Sequence, residues 1–246
     1  MEEPFVARVT LKEKETLQGY LKELPAVKYL TELSFDHPVT FFVGENGTGK
    51  STLLEAIAAA CGFNPEGGSK NFRFSTNSTH SELYRHLKVI RGTRRERDGF
   101  FLRAESFYNV ATNIEELDAI EAASPKISSS YGGRSLHHQS HGESFLALIR
   151  NRFGGNGLYI LDEPEAALSP ASLLILLRSI YDLVNQNSQF IVATHSPILM
   201  AYPNAVLYEL NDCGMKKTSY YETNHYRLTK QFMDCPERML KVLLED

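Results

Sequence analysis

The sequence predicts an α/β fold: a mainly parallel sheet with helices on both faces. Three observations predict it. Compact apolar runs at 39–43, 158–161 and 190–193 read as strands buried on both faces. Stretches of helical periodicity, 51–61, 143–153 and a long one opening at Ser169-Pro170, alternate with those runs. A glycine-rich segment from Gly44 to Ser51 leads directly out of the first strand and into the first helix.

Taken in order, 5–11 alternates well enough for a strand and supplies an antiparallel N-terminal β portion. The helix at 51–61 places Leu53, Leu54, Ile57 and Ala58 on one face, with Gly62 as its stop. Residues 64–81 are rich in Gly, Ser, Asn and Thr and read as loop. The runs 88–91 and 99–103, separated by charged residues, predict a hairpin. A short helix is expected at 114–123, followed by a polar, Ser- and Gly-rich stretch at 124–139 that is expected to be mobile. The helix at 143–153 ends at Gly154-Gly155, and Ser169 and Pro170 suit the N-cap and first position of the next one. A strand at 206–210, a turn at 211–214 and a last helix near 236–244 complete the chain. One domain over 1–246 is expected, with 64–153 inserted in it as a hairpin and helical region.

Composition bounds the function. The chain has 246 residues, 42% of them hydrophobic, and a net charge of -4. A core can form without staples, and no global basic field draws the chain to nucleic acid. Cys61, Cys213 and Cys235 are scattered and odd in number, which reads as reduced thiols in a cytoplasmic protein. Met1-Glu2-Glu3-Pro4 lacks the basic-then-apolar layout of a signal peptide. The best apolar run, 173–177, is far too short for a membrane span, so no membrane insertion is expected. Arg91, Arg94, Arg95 and Arg97 form a local basic cluster at the expected hairpin tip, diluted by Glu96 and Asp98. It reads as a solvated turn, with a phosphate-backbone contact as the alternative. His137, His138 and His141 lie close together in sequence, on a stretch expected to be too mobile for a metal site.

The chemistry starts at the glycine-rich loop. Gly44, Glu45, Asn46, Gly47, Thr48, Gly49, Lys50 and Ser51 match G-x-x-x-x-G-K-S/T in full. Glycines let successive backbone N–H groups converge on phosphate oxygens, and the helix N-terminus adds partial positive charge. Lys50 is expected to reach the β- and γ-phosphates of ATP and Ser51 to hold Mg²⁺, with Thr52 next to them. Asp162 and Glu163 end the apolar run at 158–161, at the sheet edge where ligands of open α/β sheets bind. Asp162 is assigned to Mg²⁺ with Ser51, and Glu163 to orienting or deprotonating the attacking water. Glu165 reads as turn or surface.

Further motifs follow in a fixed order: Ser140-His141-Gly142-Glu143, then Ala166-Ala167-Leu168-Ser169, then Thr194-His195-Ser196. With these the chain resembles the ABC ATPase superfamily, in its SMC-like and RecF-like branch, over about 5–208. Over its full length, including 222–226 and 234–238, it is similar to small standalone proteins known as AAA family ATPases. The resemblance implies a P-loop NTPase of ABC type with a helical signature subdomain. It implies an ATPase, splitting ATP into ADP and phosphate, that closes as a head-to-tail homodimer around two nucleotides. Ser140, Gly142 and Glu143 would then bind the γ-phosphate held by the other subunit, although Gln139 and His141 depart from the family's L-S-G-G-Q/E. The stretch from Ala166 to Ser169 takes the place of the loop that crosses the dimer interface, without its usual aspartate. His195 is implied as the switch histidine beside the γ-phosphate and the catalytic water. The family's glutamine beside Mg²⁺ has no match, so Glu105 or Ser106 is expected to substitute, and Arg8 is a candidate for stacking on adenine. The interval from Ser51 to Ser140 is too short for the long coiled coil of SMC-type proteins, so the work is expected to fall on a partner, a protein among the candidates, or on a surface. A RecF-like role on nucleic acid, an ATP-gated regulator of a toxin or nuclease, and a transporter engine stay open as alternatives.

Overall fold

The computed structural model describes residues 3–12, 17–70, 81–104, 112 and 141–244. The strands are β1 (Val6–Leu11), β2 (Glu32–Ser34), β3 (Val39–Gly44), β4 (Leu87–Arg91), β5 (Asp98–Arg103), β6 (Gly157–Asp162), β7 (Gln189–Ala193), β8 (Val206–Asn211) and β9 (Gly214–Thr218). The helices are α1 (Pro25–Lys28), α2 (Lys50–Ala60), α3 (Leu83–His86), α4 (His141–Arg152), α5 (Pro170–Val184), α6 (Pro197–Met200), α7 (Asn224–Asp234) and α8 (Pro236–Leu244). The expected helix at 114–123 and the polar stretch at 124–139 lie outside the described residues, as do Glu105, Ser106, His137, His138 and Ser140.

A six-stranded sheet of order β5-β6-β7-β3-β8-β9 carries the architecture, parallel from β5 to β8 and antiparallel only at β9. Its central strands are buried throughout and mostly apolar because successive side chains enter different cores. Val39, Phe41, Tyr159, Leu161, Phe190 and Val192 pack with Leu148, Leu176 and Ile180 of α4 and α5. Phe42, Leu158, Ile160, Ile191 and Ala193 pack with Leu53, Leu54 and Ile57 of α2. The second core also takes Val6, Val9, Leu33 and Leu87 from a three-stranded antiparallel sheet of order β2-β1-β4. The mainly parallel sheet and the antiparallel N-terminal portion are both as the sequence predicts.

The hairpin expected from 88–91 and 99–103 does not form. β4 pairs antiparallel with β1, while β5 pairs in parallel with β6, so the intervening residues cross from one sheet to the other. Burial explains the outcome. Gly99, Phe100, Phe101 and Leu102 are all buried, and a strand covered on both faces belongs inside a parallel sheet. Only Leu87 is buried in β4, which suits a sheet with one solvated face. The basic cluster therefore sits on a crossover, not at a hairpin tip. Arg91 donates to Glu96 (2.9 and 3.1 Å) and to the Cys61 carbonyl (3.2 Å). Arg94 donates to Asn156 Oδ1 (2.8 Å) and lies over the Phe5 ring. Arg95 and Arg97 are exposed.

A polar knot closes the opposite end of the central strands. The buried Tyr159 hydroxyl lies 2.7 Å from Asp98 Oδ2 and 2.6 Å from the Gly154 carbonyl, its one proton serving either, and accepts from the Gly154 amide at 2.7 Å. Arg152 donates to the same Asp98 carboxylate at 2.7 Å. Burial pushes the Asp98 carboxyl up, yet the Arg152 and Tyr159 hydrogen bonds and the Arg152 charge hold it below the ordinary aspartate value. A depressed folded pKa contributes stability that is present above the unfolded value, about 4, and is lost as pH falls through the folded one. Tyr159→Phe leaves buried polar groups without their partner and is expected to cost about 1–3 kcal/mol in urea unfolding at neutral pH, with a smaller loss in acid.

Candidate functional site

The register of the parallel strands brings their C-terminal ends to one level. Arg103 lies opposite Asp162, Asp162 opposite Ala193, and Ala193 opposite Phe42. Backbone hydrogen bonds continue that alignment past the strand ends: Ala104 N to Asp162 O (3.3 Å), Glu163 N to Ala193 O (3.0 Å) and Thr194 N to Phe42 O (3.0 Å). The residues that follow each strand therefore meet in one crevice, the place where open α/β sheets bind ligands.

Gly44 turns the chain from β3 into the phosphate loop. Its φ is +141°, and a Cβ there would stand 2.2 Å from the Leu210 carbonyl of β8, so only glycine fits. The loop rests on α1, where Ala26 N donates to Thr48 O at 3.0 Å, and Thr48 Oγ1 ties back to Glu45 O at 2.9 Å. Glu45, Asn46 and Gly47 form the exposed rim. Gly49 opens α2 in the left-handed region. Lys50 is buried, with Nζ donating to Gly44 O (2.8 Å) and Glu45 O (2.7 Å). Burial lowers its pKa, opposed by the charges of Glu163, Asp162, Glu165 and Glu45.

Ser51 Oγ donates to Asp162 Oδ1 at 3.0 Å across the crevice. A hydroxyl and a carboxylate so placed are the oxygen donors a hard divalent cation takes, and they fit Mg²⁺. Thr52 follows, half-buried. Glu163 leaves β6 with φ 49° and ψ 53°. A non-glycine residue in this region costs about 1–2 kcal/mol, and strain of this kind clusters where function requires it. His195 Nε2 lies 3.3 Å from Glu163 Oε1, buried and without a hydrogen bond. An imidazole set beside a carboxylate at this sheet edge is suited to act near a phosphate oxygen or a water.

Three further residues join this cluster that the sequence reading did not place there. Glu165 stands in the turn after Glu163, as expected, and its Oε1 accepts from the His195 amide while Oε2 is buried without a hydrogen bond. Its signal was its closeness to the carboxylate pair. Arg103 closes β5 with its guanidinium 2.8 Å from Glu55 and 3.4 Å from Asp162. A basic residue ending a buried strand was the available hint at this position, where the glutamine substitute Glu105 lies just outside the described residues. His225 reaches the site from α7, its Nε2 at 3.1 Å from His195 Nδ1. Nothing in the spacing of the C-terminal segment could bring it there, because the contact depends on how β8 docks beside β3.

The remaining assignments separate. Gly142 sits at the start of α4, where a Cβ would lie 3.0 Å from the Ala167 carbonyl, so Gly142 and the Ala166–Ser169 stretch lie together within one chain. Glu143 is exposed beside it. Ser169 caps α5 through the Ser172 amide at 3.2 Å, with Pro170 in the first helical position. Arg8 lies on β1 in the smaller sheet, half exposed and 3.6 Å from Glu32. A separate cleft of about 550 Å³, lined by His37, Val39, Arg94 and Gln189 among others, opens at the opposite end of the strands. Among the described residues no helix is long and apolar enough to cross a membrane.

An AAA-domain family model matches residues 26–141. A second, described as an AAA domain, putative AbiEii toxin, Type IV TA system, matches residues 131–201. An uncharacterised ABC transporter ATP-binding protein of Haemophilus influenzae is 24% identical over 209 residues, 80% of this chain and 78% of that protein. The ribose import ATP-binding protein RbsA of Yersinia pestis is 25% identical over 225 residues, 83% of this chain but only 41% of that protein. Among solved structures, the SMC head domain from Thermotoga maritima aligns with a TM-score of 0.48 at 15% identity, covering 87% of this chain and 99% of the other. The dimeric structure of a bacterial ABC transporter cassette aligns at 0.49 and 15%, covering 86% and 98%.

Proposed function

We propose, from the premise that this chain is an ABC/SMC-like P-loop ATPase, that it hydrolyses ATP at the crevice between β3, β6 and β7 and completes that site with the signature segment of a second copy. The observation that carries this reading is the convergence of Lys50, Ser51, Asp162, Glu163 and His195 from three strand ends. Lys50 supplies a buried positive charge for the β- and γ-phosphates, and the loop amides and the start of α2 add theirs. Ser51 and Asp162 would hold Mg²⁺, which when bound neutralises the charge between the β- and γ-phosphates. Glu163 is the general base for water, set in place by the backbone bond to Ala193. His195 places its Nε2 beside that base. Arg8 remains a candidate for the adenine and Glu105 for the metal.

The second copy enters through Ser140, Gly142 and Glu143 at the start of α4. A helix N-terminus attracts an anion, and the close approach of Gly142 to Ala167 ties this helix to the turn that follows Glu163. Sedimentation of Glu163→Gln, with and without ATP and Mg²⁺, tests this. A monomer that becomes a dimer only with both is expected; a mass that ignores ATP, in protein shown to bind it, would overturn the shared site. In the nucleic-acid alternative the exposed Arg95 and Arg97 would make the contact, since Arg91 and Arg94 are engaged within the protein.

A further inference from the structure

The contact between His195 and His225 has consequences for proton placement. Two imidazole nitrogens 3.1 Å apart share one proton, so the protonation of each ring constrains the other. Two neutral arrangements satisfy the contact. In one, His195 donates from Nδ1, which leaves its Nε2 lone pair 3.3 Å from the Glu163 carboxylate. That sets two electron-rich atoms against each other in a buried place. In the other, His225 donates from Nε2, His195 accepts at Nδ1, and the His195 proton sits on Nε2, facing the Glu163 carboxylate. His225 Nδ1 is buried without a hydrogen bond in either arrangement, so the choice between them rests on the contact of His195 with Glu163.

The backbone around His225 is built to hold it. Thr223 is fully buried and caps α7, accepting from the Tyr226 amide (3.3 Å) and donating to Tyr220 O (2.8 Å). The buried Glu209 carboxylate of β8 accepts from Asn224 N at 2.8 Å. A lone surface helix would not hold a side chain to a fraction of an ångström; one pinned by its cap and by β8 can. The groups that face His225 are the His195 ring, Lys50, whose positive charge opposes its protonation, and Glu209 and Glu45, which favour it. Burial is the strongest influence and keeps its pKa below the ordinary histidine value.

We propose that His225 is a positioning residue for the switch histidine: from α7 it fixes His195 in the neutral Nε2–H tautomer and so keeps a proton donor beside Glu163. This rests on the ATPase reading of the crevice. A histidine in the wrong tautomer is present but useless to the reaction, and replacing its orienting group lowers kcat far more than it disturbs binding.

The test uses the full chain labelled with ¹⁵N-histidine. Long-range ¹H–¹⁵N correlations identify which nitrogen of His195 carries the proton, and steady-state ATPase assays give kcat and KM. The wild-type chain is expected to show the Nε2–H form. His225→Leu is expected to lose that single form and to drop kcat at least about tenfold with KM for ATP within about twofold. His225→Gln, whose amide can still donate, is expected to restore the tautomer and most of the turnover. A wild-type chain with its His195 proton on Nδ1 would overturn the proposal without any variant, as would His225→Leu with both tautomer and kcat unchanged. His195→Ala separates the two levels: if it leaves turnover intact, the switch assignment itself fails. If it abolishes turnover while His225→Leu does not, only the positioning role fails.

Discussion

Glu163→Gln is expected to bind ATP normally and hydrolyse it at least about a hundredfold more slowly, the ordinary weight of a general base. The amide keeps the volume of the carboxylate and can keep the backbone bond from Glu163 N to Ala193 O. What it loses is the ability to take a proton. Lys50, which gathers charge from Glu163 first among its carboxylate neighbours, would feel one negative charge fewer. Nucleotide binding should survive, because Lys50 is held by the Gly44 and Glu45 carbonyls and not by Glu163. Single-turnover phosphate release, with nucleotide affinity measured on the same preparation, separates the two effects. Normal turnover would move the role of base to another carboxylate, and Glu165 is the first to test. Its Oε1 already takes the His195 amide and its Oε2 is buried without a hydrogen bond.

The sequence reads Glu165 as turn or surface, because its bond with the His195 amide joins residues thirty apart in the chain. Local features were legible. The glycine that turns β3 into the loop, the Ser169-Pro170 helix start and the carboxylates ending β6 each depend on residues adjacent in the chain. The apolar runs predicted buried strands because both faces of the sheet are covered. The error at 88–103 came from reading two neighbouring strands as partners. Proximity favours a hairpin, but the full burial of Gly99 to Leu102 outweighs it, and β5 joins β6 instead. What was illegible is nonlocal. His225 meets His195, thirty residues away, because β8 docks beside β3 and carries the start of α7 over the crevice. Arg103 meets Asp162 because β5 and β6 share a register. No periodicity or spacing encodes either contact.

Lys50→Ala is expected to remove ATP binding, with a loss of about a hundredfold or more in affinity. Truncating one partner of a buried charge pair costs about 2–5 kcal/mol, and 2.7 kcal/mol is already about a hundredfold. The variant does more than delete a contact. Lys50 is the buried cation around which Glu163, Asp162, Glu165 and Glu45 are arranged, and without it those carboxylates repel a phosphate. The same repulsion acts within the protein, so a modest fall in thermal stability should accompany the loss of binding. Calorimetric titration with ATP and Mg²⁺, alongside thermal unfolding, distinguishes a folded chain that cannot bind from one that has come apart. Undiminished affinity in a folded Lys50→Ala chain would refute the phosphate-loop assignment. With that would go every role placed downstream of it, because Ser51, Asp162, Glu163 and His195 acquire their meaning from where the phosphates sit.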